Sequence, residues 1–208
     1  LRATLARVAR INEQYGNASA PALVSNKRLK LCKGPIPKPI TMLAAGLDPE
    51  KSAPVLVVPN ALYPKQIRQA SKNEVQPYSM VFMGTLGIIN GPDIAIEAVP
   101  LVLKKYPGAM LHIVGGNALD LERLSALVKR LKLEKNVQFY GFIDDREKIS
   151  SLIRRFSVAL APYPHIPWSA RLYGDATKIR AYLAAGLPVV TTDVPPLGKV
   201  AASFGAAL

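Results

Sequence analysis

Residues 110–141 read MLHIVGGNALDLERLSALVKRLKLEKNVQFYG, and this stretch decides the fold. Met110–Gly115 is a short, almost wholly apolar run, as expected of a strand covered on both faces. Gly115, Gly116 and Asn117 interrupt it. Leu121, Leu124, Leu127, Val128 and Leu131 then recur at the spacing that puts one face of a helix on a sheet. Val137–Tyr140 is the next apolar run. Strand, amphipathic helix, strand is the unit from which parallel sheets are built.

The same alternation extends in both directions. Pro54–Pro59, Met80–Gly84, Val158–Ala161 and Pro188–Thr192 are further strand candidates. Ile94, Ala98, Leu101 and Val102 suggest one helical stripe, and Ile149, Leu152, Ile153 and Phe156 another. Pro100 falls inside the first of these and should kink or shorten that helix. The expected fold class is α/β: a Rossmann-like, mainly parallel sheet of about six strands flanked by helices.

Residues 1–53 have a different character. Leu1–Tyr15 suggests a basic amphipathic helix and Ala22–Ser25 a short strand. Lys33–Pro39 holds three prolines in seven residues and reads as an extended connector. A domain boundary is therefore expected between Gly34 and Ala53, which divides the chain into residues 1–45 and 46–208.

Composition narrows the function classes. Of 208 residues, 50% are hydrophobic and 20% charged, a globular balance that excludes extensive disorder. No apolar run reaches the ~18–20 residues of a membrane-spanning helix. The single cysteine, Cys32, cannot form an internal disulfide, so a cytoplasmic setting is the expectation. Residues 1–12 carry three arginines without the pattern of a signal peptide. The formal net charge is +13, and residues 1–40 contribute eight basic groups against Glu13 alone. Such a surface attracts anionic lipid or a phosphorylated substrate, or simply keeps the chain soluble. Tyr15 is the only aromatic residue in that segment, which argues against single-stranded nucleic acid as a partner.

In an open parallel sheet, ligands bind beyond the carboxyl ends of the strands. That rule selects the loops Gly84–Gly91, Gly115–Ala118, Gly141–Asp145 and Tyr163–Asp175. GTLGIING, residues 84–91, permits close backbone approach to an anion, or merely a tight turn. Its spacing is not that of a nicotinamide-dinucleotide fingerprint. His112, inside an apolar run, reads as a packed residue rather than a catalytic one. RLYGDATKIRAYLAAG, residues 171–186, places Asp175 as an N-cap for a helix running to Ala185. The amides of Ala176, Thr177 and Lys178, with the Lys178 ammonium, would then favour an anion, unless the Asp175 carboxylate takes those donors. No cluster of His, Cys or carboxylates has metal-ligand spacing, so neither metal nor cofactor is expected.

KIRAYLAAGLPVVTTDV, together with VVPN, MVFMGTL, AIEAVPLVLKKYPGAMLHIVGG and LERLSALVKRLKLEKNVQFYGFIDD, resembles the C-terminal half of a GT-B glycosyltransferase of the family 4 type. The resemblance covers residues 55–198. It implies a nucleotide-diphosphate-sugar donor domain, preceded by the tail of an acceptor domain, with the chain ending before the family's last strand and returning helix. It also implies hexosyl transfer with retention, to a glycan or lipid-linked acceptor at the inner face of a membrane. By position, Gly84 and Thr85 follow the first donor-domain strand, and Gly115 and Gly116 end the next. Gly141, Phe142 and Ile143 flank the base, while Asp175, Ala176, Thr177 and Lys178 open the diphosphate-facing helix. The family's Arg and Lys toward the diphosphate fall at Thr85 and Asn90, and its two glutamates at Tyr173 and Ala181. A non-catalytic, donor-like module that binds an anionic partner is the rival expectation.

Overall fold

The computed structural model describes residues 70–167, 169–172 and 176–208. The short apolar runs become β1 (Ser79–Met83), β2 (Met110–Val114), β3 (Val137–Gly141), β4 (Val158–Ala161) and β5 (Val189–Thr191). All pair in parallel, in the spatial order β3-β2-β1-β4-β5. The candidate strand at 54–59 lies outside the described residues, as do the helix and strand expected at 1–15 and 22–25.

The helices are α1 (Pro92–Leu103), α2 (Ala118–Arg130), α3 (Arg146–Ile153), α4 (Thr177–Ala184) and α5 (Pro196–Ser203). Period-two alternation in the strands sends side chains to both faces of the sheet. Phe82, Leu111, Ile113 and Leu160 pack with Ile96 and Val99 of α1 and Leu124 and Leu127 of α2. Val81, Ala159 and Ala161 face the other way, onto Ile153, Ile179, Leu183 and Leu197 from α3, α4 and α5. Each of these fully buried large side chains contributes about 1.5–3 kcal/mol. The sheet is thus covered on both sides, and this is why its central strands carry no polar alternation. The edge strand β3 is the exception, with Gln138 and Tyr140 exposed.

The order of the strands creates the site. From β1 the chain builds outward through β2 to β3, then returns across the sheet to β4 on the other flank of β1. Loops leave in opposite directions on either side of β1, which opens a crevice at the carboxyl ends of these strands. Tyr182 of α4 sits beneath it. Its hydroxyl accepts from the Met83 N–H at 2.6 Å and donates to the Leu160 carbonyl at 3.4 Å, bridging β1 and β4 where their own pairing stops.

One local reading is corrected. The buried stripe of α1 is Pro92, Ala95, Ile96 and Val99, whereas Ile94 and Leu101 are exposed at 40% and 66%. The sequence of α1 is apolar on several sides, so its spacing alone admits both stripes. Packing at Gly91 selects one of them. This residue is left-handed (φ 75°), and a Cβ on it would lie 1.8 Å from the Pro162 carbonyl oxygen. Pro100 stays within α1, in its last turn, and removes the donor that the Ile96 carbonyl would otherwise receive. Residues 206–208 run beside β5: Val189 bridges Ala207 in parallel, and the Leu208 N–H donates to the Val189 carbonyl.

Candidate functional site

Three consecutive strands end in glycine-bearing loops at the carboxyl edge. The Gly84 N–H donates to Val114 O at 2.9 Å, and the Gly115 N–H donates to Gly141 O at 2.7 Å. These two amides tie loop to loop and are not available to a ligand, contrary to the expectation that donors run from Gly84 onward. The close approach that Gly115 and Gly116 permit is likewise between loops. A Cβ on Gly115 would lie 2.2 Å from Gly84 O, and one on Gly116 2.3 Å from a Leu86 methyl. Both residues have positive φ.

Above these loops is a cavity of about 600 Å³, lined by Gly84, Thr85, Gly115, Gly116, Phe142 and Ile143, with Met83, Val114, Asn117, Asp120 and Ile149. Gly141 is the left-handed hinge (φ 68°) that turns the chain from β3 toward Phe142. Phe142 is 75% exposed, an apolar ring held out at the rim. Asn117 caps α2, accepting from the Asp120 N–H at 2.9 Å. Asp145 caps α3, accepting from Glu147 and Lys148.

The β1 loop is braced in a way that the sequence does not announce. Asn90 is buried, and its Nδ2 donates to the Thr85 hydroxyl at 2.6 Å. Thus the two positions at which the resemblance expected cations are a neutral, mutually satisfied pair. Arg123 on α2 forms an ion pair with Asp93 and donates to Leu86 O at 2.9 Å. His112 is packed, as expected: its ring stacks on Phe156 at 4.4 Å, its Nδ1 meets the Tyr140 hydroxyl at 3.1 Å, and burial lowers its pKa.

At α4 the outcome is mixed. Ala176 is the N-cap, with no side-chain capping bond, and the helix starts at Thr177. Asp175 and Tyr173 lie outside the described residues. Thr177 is exposed at the helix start, whereas Lys178 turns inward. Its stem is partly exposed, but its Nζ is buried and has no hydrogen-bond partner among the described residues. The ammonium lies 4.0 Å from the centroid of the Phe82 ring and 4.9 Å from that of Tyr163. It is also 3.7 Å from where a Cβ on Gly84 would stand. Burial first, and the Arg171 guanidinium second, bring its pKa from 10.5 to about 7. The expectation of an exposed surface lysine is therefore wrong. The i, i+4 placement of Lys178 and Tyr182 puts both on the inner face of α4, the one signal that would have located the lysine.

Residues 77–203, more than half of the chain, match the sequence profile of the family described as glycosyl transferases group 1. The chain belongs to this family. Among curated relatives of this group 1 chain, the O-antigen biosynthesis glycosyltransferase WclY of Escherichia coli is 30% identical over 105 residues, covering 50% of the chain and 26% of that protein. Glycogen synthase of Mycobacterium tuberculosis is 25% identical over 130 residues, covering 62% of the chain and 29% of the synthase. The group 1 chain thus spans about a quarter to a third of the length of these relatives. Two solved structures show the same fold. Anabaena Alr3699/HepE in complex with UDP and glucose superposes with a TM-score of 0.56 at 18% identity, covering 77% of this chain and 43% of that one. WaaG, a glycosyltransferase involved in lipopolysaccharide biosynthesis, superposes at 0.53 with 22% identity, covering 72% and 41%. The fold is the Rossmann-like half of a GT-B glycosyltransferase, as the resemblance implied.

Proposed function

We propose that this chain carries the nucleotide-diphosphate-sugar donor site of a glycosyltransferase. In this reading residues 46–208 form the donor domain and residues 1–45 end the acceptor half. The enzyme moves a hexose, with retention and without a metal ion, to a glycan or lipid-linked acceptor. The basic N-terminal segment then suits an acceptor at an anionic membrane surface. Among the described residues no helix is long and apolar enough to cross a membrane.

The observation that carries the reading is Lys178. A buried amine with no anionic partner among the described residues, beside the end of β1 at the point where the strand order reverses, asks for an anion. The diphosphate would lie at the first turn of α4 against Lys178, the sugar toward Thr85, and the base against Phe142 and Ile143. The backbone of Gly141–Ile143 would read the base edge. Catalysis would then come from positioning and from stabilising the charge on the departing diphosphate.

Titration calorimetry with uridine, guanosine and adenosine diphosphates and their hexose conjugates tests this reading. One nucleotide should bind, and Lys178→Ala should weaken it about tenfold to a hundredfold, since a charge-assisted hydrogen bond contributes about 1.5–3 kcal/mol. The free nucleoside should bind equally to both proteins. Binding of none of these ligands would favour the scaffold module instead.

A further inference from the structure

Lys178 is placed where no described group compensates its charge. From β1 it meets the Phe82 ring, and from the segment after β4 the Tyr163 ring. Arg171, from the same segment, adds a repulsive positive charge. On α4 itself the neighbours are Arg180, which is buried, and Tyr182, whose hydroxyl is held neutral by burial first and by Tyr163 second, against the opposing effect of the Met83 N–H it accepts from. The loop above offers the neutral Thr85–Asn90 pair. An ammonium in such surroundings is disfavoured by desolvation, and its proton leaves near neutrality. An incoming diphosphate reverses this balance, because an opposite charge in contact favours the charged form.

We propose that the donor enters this site together with a proton, which Lys178 takes up as the diphosphate arrives. Above pH 7 the amine is then mostly neutral in the free crevice and fully cationic only with the diphosphate bound. This inference rests on the donor reading above and adds a property to it. The proton goes from solvent to Nζ, and no bond of the donor changes.

The probe is the hexose conjugate that binds best in the panel above. Its two phosphates are both esterified and hold fixed charges near neutrality, so the ligand contributes no proton of its own. Calorimetry of the full chain in buffers of different ionisation enthalpy reads the proton stoichiometry. With Lys178 titrating near 7 when empty, close to one proton should be taken up at pH 8.5 and about a quarter of one at pH 6.5. Affinity should fall about 25-fold between those two values, in the direction of rising pH. Lys178→Arg, permanently charged, should bind with no proton uptake and a flat pH profile. Lys178→Met should lose both the affinity and the uptake, whereas His165→Gln should keep the uptake. Binding of the conjugate by the unsubstituted chain without proton uptake at pH 8.5, or unchanged uptake in Lys178→Met, overturns the inference and leaves the donor reading intact. Absence of binding from pH 6.5 to 8.5 overturns both.

Discussion

In the proposed function, Lys178 serves the site at the expense of the fold. Its pKa in the folded chain, about 7, lies below the 10.5 of an ordinary lysine. The unfolded chain therefore holds more protons between those values, and folding loses stability as pH falls from 10.5 towards 7. At about 1.4 kcal/mol for each pH unit the full cost is on the order of 5 kcal/mol, reached below pH 7. Lys178→Met keeps the stem and removes the amine. It should raise the unfolding free energy of the ligand-free chain by about 2–4 kcal/mol at pH 7, and the gain should shrink towards pH 10. Urea melts at pH 7 and pH 9.5 measure both. A substitution that stabilises the empty protein while removing diphosphate binding identifies a lysine kept for its ligand. An unchanged midpoint would mean that the amine is hydrated after all.

Among the elements, α1 and α2 illustrate what packing adds to periodicity. Ile96 is fully buried against β1 and β2, while Leu101, equally apolar, is 66% exposed. Ile96→Ala should cost about 2–5 kcal/mol and Leu101→Ala no more than about 0.5. Equal losses at the two positions in parallel denaturant melts would show that α1 is rotated from the phase described. The end of α2 makes a separate point. Leu133 N–H returns to Val128 O, and Lys132 N–H to Lys129 O, the paired bonds of a left-handed helix stop. The residue in the left-handed position is Lys132 (φ 56°), not glycine. Lys132→Gly should therefore stabilise the chain by about 1 kcal/mol, seen as a small rise in Tm without change in nucleotide affinity.

At the scale of the described residues, the parallel sheet and its two layers of helices close a hydrophobic core on both faces within residues 81–207. If the proposed division at residue 45 is right, a chain beginning at residue 46 should melt cooperatively and bind the same nucleotide within about threefold of the full chain. Non-cooperative melting, or loss of binding, would show that residues 1–45 belong to the same folding unit.

Much of this was legible along the chain. The strands β1 to β5 lie within a residue of the runs that announced them, because a strand covered on both faces must be apolar throughout. The loops Gly84–Gly91, Gly115–Ala118 and Gly141–Asp145 follow from strand order and from the rule for carboxyl ends. What could not be read is whatever depends on residues distant in sequence. The phase of α1 waits on contact between Gly91 and Pro162. The glycines at 115 and 116 are required by the close approach of Gly84 and Leu86. Above all, the sequence shows a lysine in the first turn of a helix, a position that elsewhere means a solvated charge. Only the meeting of Phe82, Tyr163 and Gly84 around its Nζ makes that charge costly. Periodicity is a local property and determines which elements form and where the site lies. Burial arises from groups up to a hundred residues apart, so the ionisation of Lys178, and with it the chemistry of the site, is decided by the tertiary fold.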